Sequence, residues 1–350
     1  MSVDPHTLLQ TVFEAVHSVA YNLGKAVMAL TQRDSYLYWP YLVSAGLLAL
    51  AVAVVTARRT HREESGSWRR VFREYLSAQV WWSPSARADY ALYLANALAL
   101  PLVFGVLMFA DTHVVMLINS ALGKPLLPVG NSLEPAGVAL RVAFTLVVFV
   151  AYDFGRFVSH CLLHDVPALW EFHKVNHSAE TLNPITAFRA HPVDLLVMAW
   201  IPAIMTGLAA WSFNQVTDAR ITVYTYLGLH IILVASNFVG TLRHTNVWLS
   251  YGPFWNQWLV SPAQHQLHHS CEAHHIGCNR GFELAVWDRL YGTLYVPARQ
   301  ETFRMGLGDG TDRQWHNVGR MYWWPFRNAG RRMMNLRRRP MQPPPSQRSS

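Results

Sequence analysis

Five runs of apolar residues punctuate the chain, at Tyr38–Thr56, Tyr90–Ala110, Ala136–Ala151, Val193–Trp211 and Ile221–Val239. The first is close to the ~20 residues that a bilayer-spanning helix needs. Tyr36, Tyr38 and Trp39 stand at one end of it, as an aromatic belt at a membrane interface would. Arg141, near the outer end of the third run, has a side chain long enough to snorkel to the headgroups. The last two runs are separated by a short polar turn around Asn214–Arg220. The pattern predicts an all-α, polytopic membrane bundle of about four to five spans. Ahead of it, Asp4-Pro5 reads as a helix start, and Leu8–Leu30 as an amphipathic helix lying on the membrane or packed on the spans.

The polar stretches set an orientation. Thr56–Asp89 carries seven arginines (58, 59, 62, 69, 70, 73 and 87), whereas Asp111–Pro135 carries only Lys124 among basic side chains of that type. Positive charge is retained in the cytoplasm, so the first loop is expected inside and the second outside. The third span then returns to the cytoplasm near Asp153, and the pair at 193–239 goes out and back or dips in as a hairpin. Either way, His160–His191 and His244–His275 fall on the same cytosolic side, as a helical cap on the bundle. Four segments follow: an interfacial piece at 1–35, spans with a basic loop at 36–151, a catalytic unit at 152–296 and a basic tail at 297–350. From Arg327 that tail holds seven arginines and ends rich in Pro, Ser and Gln, a disordered composition attracted to anionic lipid.

Composition agrees with a lipid-facing surface. Of 350 residues, 14% are charged, against roughly 25% in an average soluble domain. The apolar fraction is 51% and the aromatic fraction 13%, too few charges to cover a water-facing surface. The net charge of +8 sits beside the apolar runs and in the tail, which suits membrane orientation, and no nucleic-acid partner is expected. Cys161, Cys271 and Cys278 form no CxxC pair, so neither a disulfide framework nor a thiolate zinc site is expected, and a reducing compartment fits. Met1–Gln32 lacks the features of a cleavable leader.

The chemistry lies in the histidines. Twelve of seventeen fall between His160 and His275. They form three spaced clusters: His160xxxHis164, His173xxxHis177 and His265-Gln-Leu-His268-His269. Residues three or four apart share a helix face, so each cluster can aim two or three imidazoles at one point. A lone histidine on an apolar face is more often a satisfied core residue. Three clusters on one membrane side would instead leave many ring nitrogens unpaired without a cation. A zinc protease would need a glutamate inside its His pair, and a structural zinc would use only four ligands. Eight or so imidazoles suit two metals with vacant positions for oxygen, and two irons can supply the electrons to cleave O2 and attack an unactivated C–H bond. A histidine-lined transporter would place its ligands inside spans, where only His230 clearly lies.

These motifs resemble the fatty acid hydroxylase / sterol desaturase superfamily. The resemblance rests on the three clusters, on Asp153 seven residues before His160, on Arg189-Ala-His191-Pro192 and on His244-Thr-Asn246. Asn279 with Gly281, and Ala285-Val-Trp-Asp-Arg-Leu-Tyr-Gly-Thr293, complete it, so that it covers Tyr152–Val296. It implies a membrane oxygenase with two irons, zinc being a possible occupant in preparations. It also implies a lipid substrate, O2 and a separate electron donor of ferredoxin or cytochrome b5 type with its reductase. The ligands it implies are His160, His164, His173, His177, His244, His265, His268 and His269. The family pattern H-x-x-H-H is broken at Asn176, which stands where a histidine belongs and becomes a candidate catalytic residue, acting as a weak ligand or through water. Asp153 is the other candidate, holding a ligand imidazole by its second nitrogen or capping a span. His191 is open between ligand and loop anchor. His274 and His275 are read as an exposed pair, Cys161 as packing, and Trp287, Asp288 and Gly292 as structural. Hydroxylation, desaturation and a metal-binding scaffold without catalysis all remain open at this point, as does the lipid.

Overall fold

In the computed structural model, residues 28–60 (except 33, 34 and 36), 76–104, 136–215 and 225–338 (except 227 and 228) are described, with isolated positions at 17–27, 73, 116–121 and 223. The expected amphipathic helix at Leu8–Leu30, the 61–72 part of the basic loop, the loop at 111–135 and the end of the tail therefore lie largely outside the described residues. Among the described residues, the regular structure is helical apart from one antiparallel ladder of two residues per strand. Its main elements are α1 (Trp39–Thr60), α2 (Pro84–Phe104), α3 (Val138–Asp165), α4 (Pro167–His177) and α5 (Pro192–Asn214). The ladder, β1 (Thr225–Tyr226) with β2 (Leu229–His230), follows, then α6 (Ile231–Arg243), α7 (Pro262–His268), α8 (Val286–Tyr291) and α9 (Val318–Arg338).

Among the described residues, α3 and α5 are long and apolar enough to cross a membrane. The expected third span is longer than its apolar run. With 28 residues α3 is about 42 Å long, some 12 Å more than the thickness of a ~30 Å hydrocarbon core. His160 and His164 are in its last two turns. The expected fifth span, Ile221–Val239, is corrected: within it Thr225–Tyr226 pair with Leu229–His230, and the helix starts only at Ile231, with 13 residues. Thirteen residues rise about 20 Å, too short to cross.

Proline sets the starts of the site helices. Val166 is extended before Pro167, which ends α3 and opens α4 at a position needing no N–H. Pro192 opens α5 behind His191, and Pro262 opens α7 behind Ser261, which with Gln264 makes a reciprocal capping box.

Two contacts hold the frame. Gly155 of α3 lies against α5 so closely that a Cβ there would meet Pro202 Cα at 2.6 Å. Ser159, one turn on, donates to Val197 C=O of α5 at 3.2 Å. The second contact is Arg189, which is fully buried. Its guanidinium pairs with Asp89 of α2 at 2.7 Å and donates to Val175 C=O, Ser178 Oγ and Trp315 C=O at 2.9–3.1 Å. It thereby fixes the C-terminal end of α4, and with it His173 and His177.

Gly155→Ala should push α3 off α5, because the atom it strikes is backbone and cannot rotate away. We expect a loss of about 1–3 kcal/mol, read as a lowered thermal midpoint of the purified protein; an unchanged midpoint would mean that the helices slide apart freely.

Candidate metal centre

The eight sequence-predicted histidines come together as two adjoining groups. In the first, ring nitrogens of His160, His164, His173, His177 and His268 all lie within 4.8 Å of one another; in the second the same holds for His244, His265 and His269. His269 joins them, its ring centroid 4.8 Å from that of His177 and 4.9 Å from that of His265. The i,i+4 spacing works as expected within α3 and α4: His160 and His164 project from the end of one, His173 and His177 from one face of the other. His265 and His268 come from α7, and His244 follows directly on α6.

The outward partners decide which nitrogen is available. His160 Nδ1 is 2.7 Å from Arg280 C=O, His268 Nδ1 is 2.7 Å from Cys278 C=O, and His173 Nδ1 is 2.8 Å from Asp194 Oδ2. A carbonyl or carboxylate only accepts, so each Nδ1 carries a proton and each ring turns its Nε2 inward. Yet these nitrogens converge: His160 Nε2 is 3.1 Å from His173 Nε2, and His164 Nε2 is 3.3 Å from both His160 Nε2 and His268 Nε2. At the His160–His173 contact two inward-facing ring nitrogens are 3.1 Å apart, a separation that a shared cation would satisfy. Two nitrogens bound to one cation at about 2.0–2.1 Å, at ordinary coordination angles, sit about 2.9–3.4 Å apart. The donor set fits a metal.

The second group repeats the pattern. His265 Nε2 is 3.3 Å from His244 Nε2. His265 Nδ1, both nitrogens of His269 and His177 Nε2 are buried without a hydrogen-bond partner among the described residues. Orphaned buried polar atoms on this scale are costly. Burial first, then neighbouring imidazoles, holds His177, His265 and His269 well below the usual histidine pKa; burial is also the first cause that brings His244 and His268 down to about 3. All five are neutral near pH 7, the form that binds metal. Burial raises the Cys278 thiol to about 12, so it stays protonated and offers its carbonyl, not its sulfur.

A single loop orients two of these rings. Asn279 takes a left-handed conformation (φ 50°), and its side chain accepts from Tyr295 N–H at 2.8 Å and donates to Gln264 C=O at 3.3 Å. Asp288 accepts from the amides of Arg280 and Gly281 at 2.7 and 2.8 Å, and from Thr293 Oγ1 at 2.6 Å. A Cβ on Gly281 would meet that carboxylate at 2.6 Å. The Trp-Asp…Gly-Thr signature thus acts through the loop whose carbonyls at 278 and 280 aim His268 and His160.

Asp153 departs from expectation. Its carboxylate accepts from the amides of Glu283 and Leu284 and from Trp287 Nε1 at 2.9–3.1 Å, so it fastens that same loop and faces no histidine. The carboxylate that does hold one of the clustered imidazoles is Asp194, in the first turn of α5. Sequence spacing carried no signal for it, because its partner lies 21 residues earlier across a turn. Asn176 is in neither histidine group: its amide donates to Arg189 C=O at 3.2 Å and faces the cavity described below. His191 resolves as an anchor, with Nδ1 accepting from Val193 N–H at 3.0 Å and Nε2 donating to Tyr322 C=O at 3.1 Å. The pair at 274–275 is split. His274 is exposed, whereas His275 is buried between Ser270 Oγ at 2.9 Å and Glu301 Oε2 at 3.0 Å.

A cavity of about 670 Å³ opens onto both groups, reaching His160 and His173 of the first and His244 and His265 of the second. Its other side is apolar, formed largely by Leu195, Met198 and Pro202 of α5 with Phe188. That volume is within the roughly 300–1,000 Å³ of small-molecule sites.

Comparison with known proteins follows the same residues. The family described as fatty acid hydroxylase matches residues 145–293. The ornithine lipid hydroxylase OlsE of Rhizobium tropici is 30% identical over 170 residues, 47% of this chain and 46% of that protein. The alkylglycerol monooxygenase of Homo sapiens is 27% identical over 147 residues, covering 42% and 29%. The Delta(7)-sterol-C5(6)-desaturase of Nicotiana tabacum is 23% identical over 170 residues, covering 47% and 54%. The chain thus spans about half or less of these relatives' lengths. No solved structure matches.

His191 gives a pH test. Burial lowers its pKa from 6.5 to about 4. Between those values the unfolded chain binds a proton that the folded chain refuses, so this contribution is complete above pH 6.5 and is lost as pH falls toward 4. His191→Gln should lose less thermal stability than wild type on going from about pH 7 to pH 5. Equal losses would assign the acid sensitivity to other groups.

Proposed function

We propose, from the premise that the chain carries in residues 145–293 a domain of the fatty acid hydroxylase family, that it is a membrane-bound, O2-dependent di-iron enzyme hydroxylating a C–H bond of a lipid. The observation that carries this reading is the convergence of histidine Nε2 atoms, 3.1–3.3 Å apart, beneath an apolar cavity. His160, His164, His173, His177 and His268 would hold one iron, and His244, His265 and His269 the other. When bound, the irons supply O2 activation for attack on the C–H bond. One oxygen atom enters that bond and the other leaves as water, with two electrons and two protons delivered through a separate ferredoxin or cytochrome b5 type partner.

The chain's own residues supply position and exclusion. Arg280 C=O, Cys278 C=O and Asp194 fix the tautomers of His160, His268 and His173. Leu195, Met198 and Pro202 line the route for an apolar chain and keep bulk water from the histidines. Because α5 is also one of two helices among the described residues that are long and apolar enough to cross a membrane, a lipid can enter sideways from the bilayer. The arginine-rich loop at 56–89 supports a multi-pass orientation with the histidines on the cytosolic face. Asn176 is proposed as a polar lining group that orients substrate or water beside His173. Desaturation on the same scaffold is the second reading, favoured by the likeness to the tobacco desaturase. Analysis of the product, alcohol or alkene, separates the two.

Three outcomes follow. His268→Ala and His173→Ala should abolish lipid oxidation while the protein still inserts into membranes; turnover in either would remove that ligand from the assignment. Asp194→Asn should lower metal affinity about 10–100-fold, measured as metal per chain after dialysis against a chelator, and unchanged retention would reduce Asp194 to a packing role. Asn176→His should keep or raise metal occupancy, and a sharp fall would reveal a specific need for the amide.

A further inference from the structure

Two charged side chains in the cavity, Arg156 and Arg243, are not used by the metal site. Arg156 is on α3, one turn before His160 and within the helix that is long and apolar enough to cross the membrane. An arginine on such a helix is expensive and is usually placed for a partner. Its guanidinium lies 3.7 Å from the ring centre of Phe282, in a cation–π contact that presents it to the cavity. Its polar contacts among the described residues are long: Nη1 is 3.4 Å from Ser236 Oγ and 4.0 Å from Glu283 Oε1. Glu283 is held more tightly elsewhere, with Oε2 2.6 Å from Arg243 Nη2. Two guanidiniums that both line the cavity therefore share one carboxylate, and Arg156 has the weaker hold. Asp194, the acidic residue on the opposite wall, is already bound to His173.

We propose that Arg156 receives an anionic oxyacid group of the substrate, a carboxylate or a phosphate, and so selects acidic single-chain lipids over neutral ones. This rests on the reading of the cavity as the lipid site. A guanidinium offers five N–H donors in a planar fork matched to such groups. With Leu195, Met198 and Pro202 forming an apolar wall, the chain of the lipid lies along α5 while its acidic end sits beside the histidines. Arg243, the partner of Glu283, keeps that carboxylate from competing.

Equilibrium binding of radiolabelled palmitate, hexadecyl phosphate and hexadecanol to the purified full-length protein in zwitterionic micelles tests this without turnover. At least one acid should bind about tenfold or more tightly than the alcohol, and which acid does so distinguishes a carboxylate from a phosphate source. Arg156→Gln should remove that preference and leave hexadecanol binding unchanged. Arg156→Lys should retain part of it, which a purely structural role for the Phe282 contact would not predict. Saturable but equal binding of all three by wild type, or a preference that survives Arg156→Gln, overturns the anionic subsite and leaves the lipid reading standing. Absence of saturable binding by any of them overturns both.

Discussion

The centre depends on imidazole nitrogens brought within 3.1–3.3 Å of one another. Three of these rings give an Nδ1 proton to an outward acceptor: His160 to Arg280 C=O, His268 to Cys278 C=O, His173 to Asp194. Their Nε2 atoms then face inward at distances suited to common coordination. Burial keeps His177, His268 and His269 neutral near pH 7, the form that binds metal. The outward acceptors are as much part of the site as the inward nitrogens.

The rest of the fold serves to keep those acceptors in place. Asp288 and Asp153 grip the 278–284 loop from two sides, one through the amides of 280 and 281, the other through those of 283 and 284. Gly281 lets Asp288 approach, and Asn279 turns the chain through a left-handed position stabilised by its own side chain. On the other side, Arg189 ties the end of α4 to α2, and Gly155 brings α3 against α5, the helix that contributes Asp194. A small loop and a close helix crossing thus share the work of aiming rings drawn from distant parts of the chain.

The histidine spacing was legible in the sequence because an i,i+4 pair states its own geometry once a helix forms. The same is true of the helix starts, where Pro167, Pro192 and Pro262 mark first-turn positions. The partners of the rings were not legible. Asp153 precedes His160 by seven residues on the same helix, which suggests a shared role, but its carboxylate turns to the 283–287 segment. Asp194 does the job expected of it, across a turn whose course no local pattern fixes. His191 looked like a candidate ligand until both of its nitrogens found backbone partners. The run at Ile221–Val239 misled for another reason: hydropathy reads burial and membrane alike, and the chain there pairs two short strands before a short helix.

X-ray absorption at the iron edge, with elemental analysis of the same purified sample, addresses the centre most directly. The account predicts two irons per chain, in a shell dominated by nitrogen at about 2.0–2.2 Å, close to the distances typical of imidazole ligation. Folded protein that retains no metal, or a single ion bound mainly by oxygen or sulfur, would contradict it.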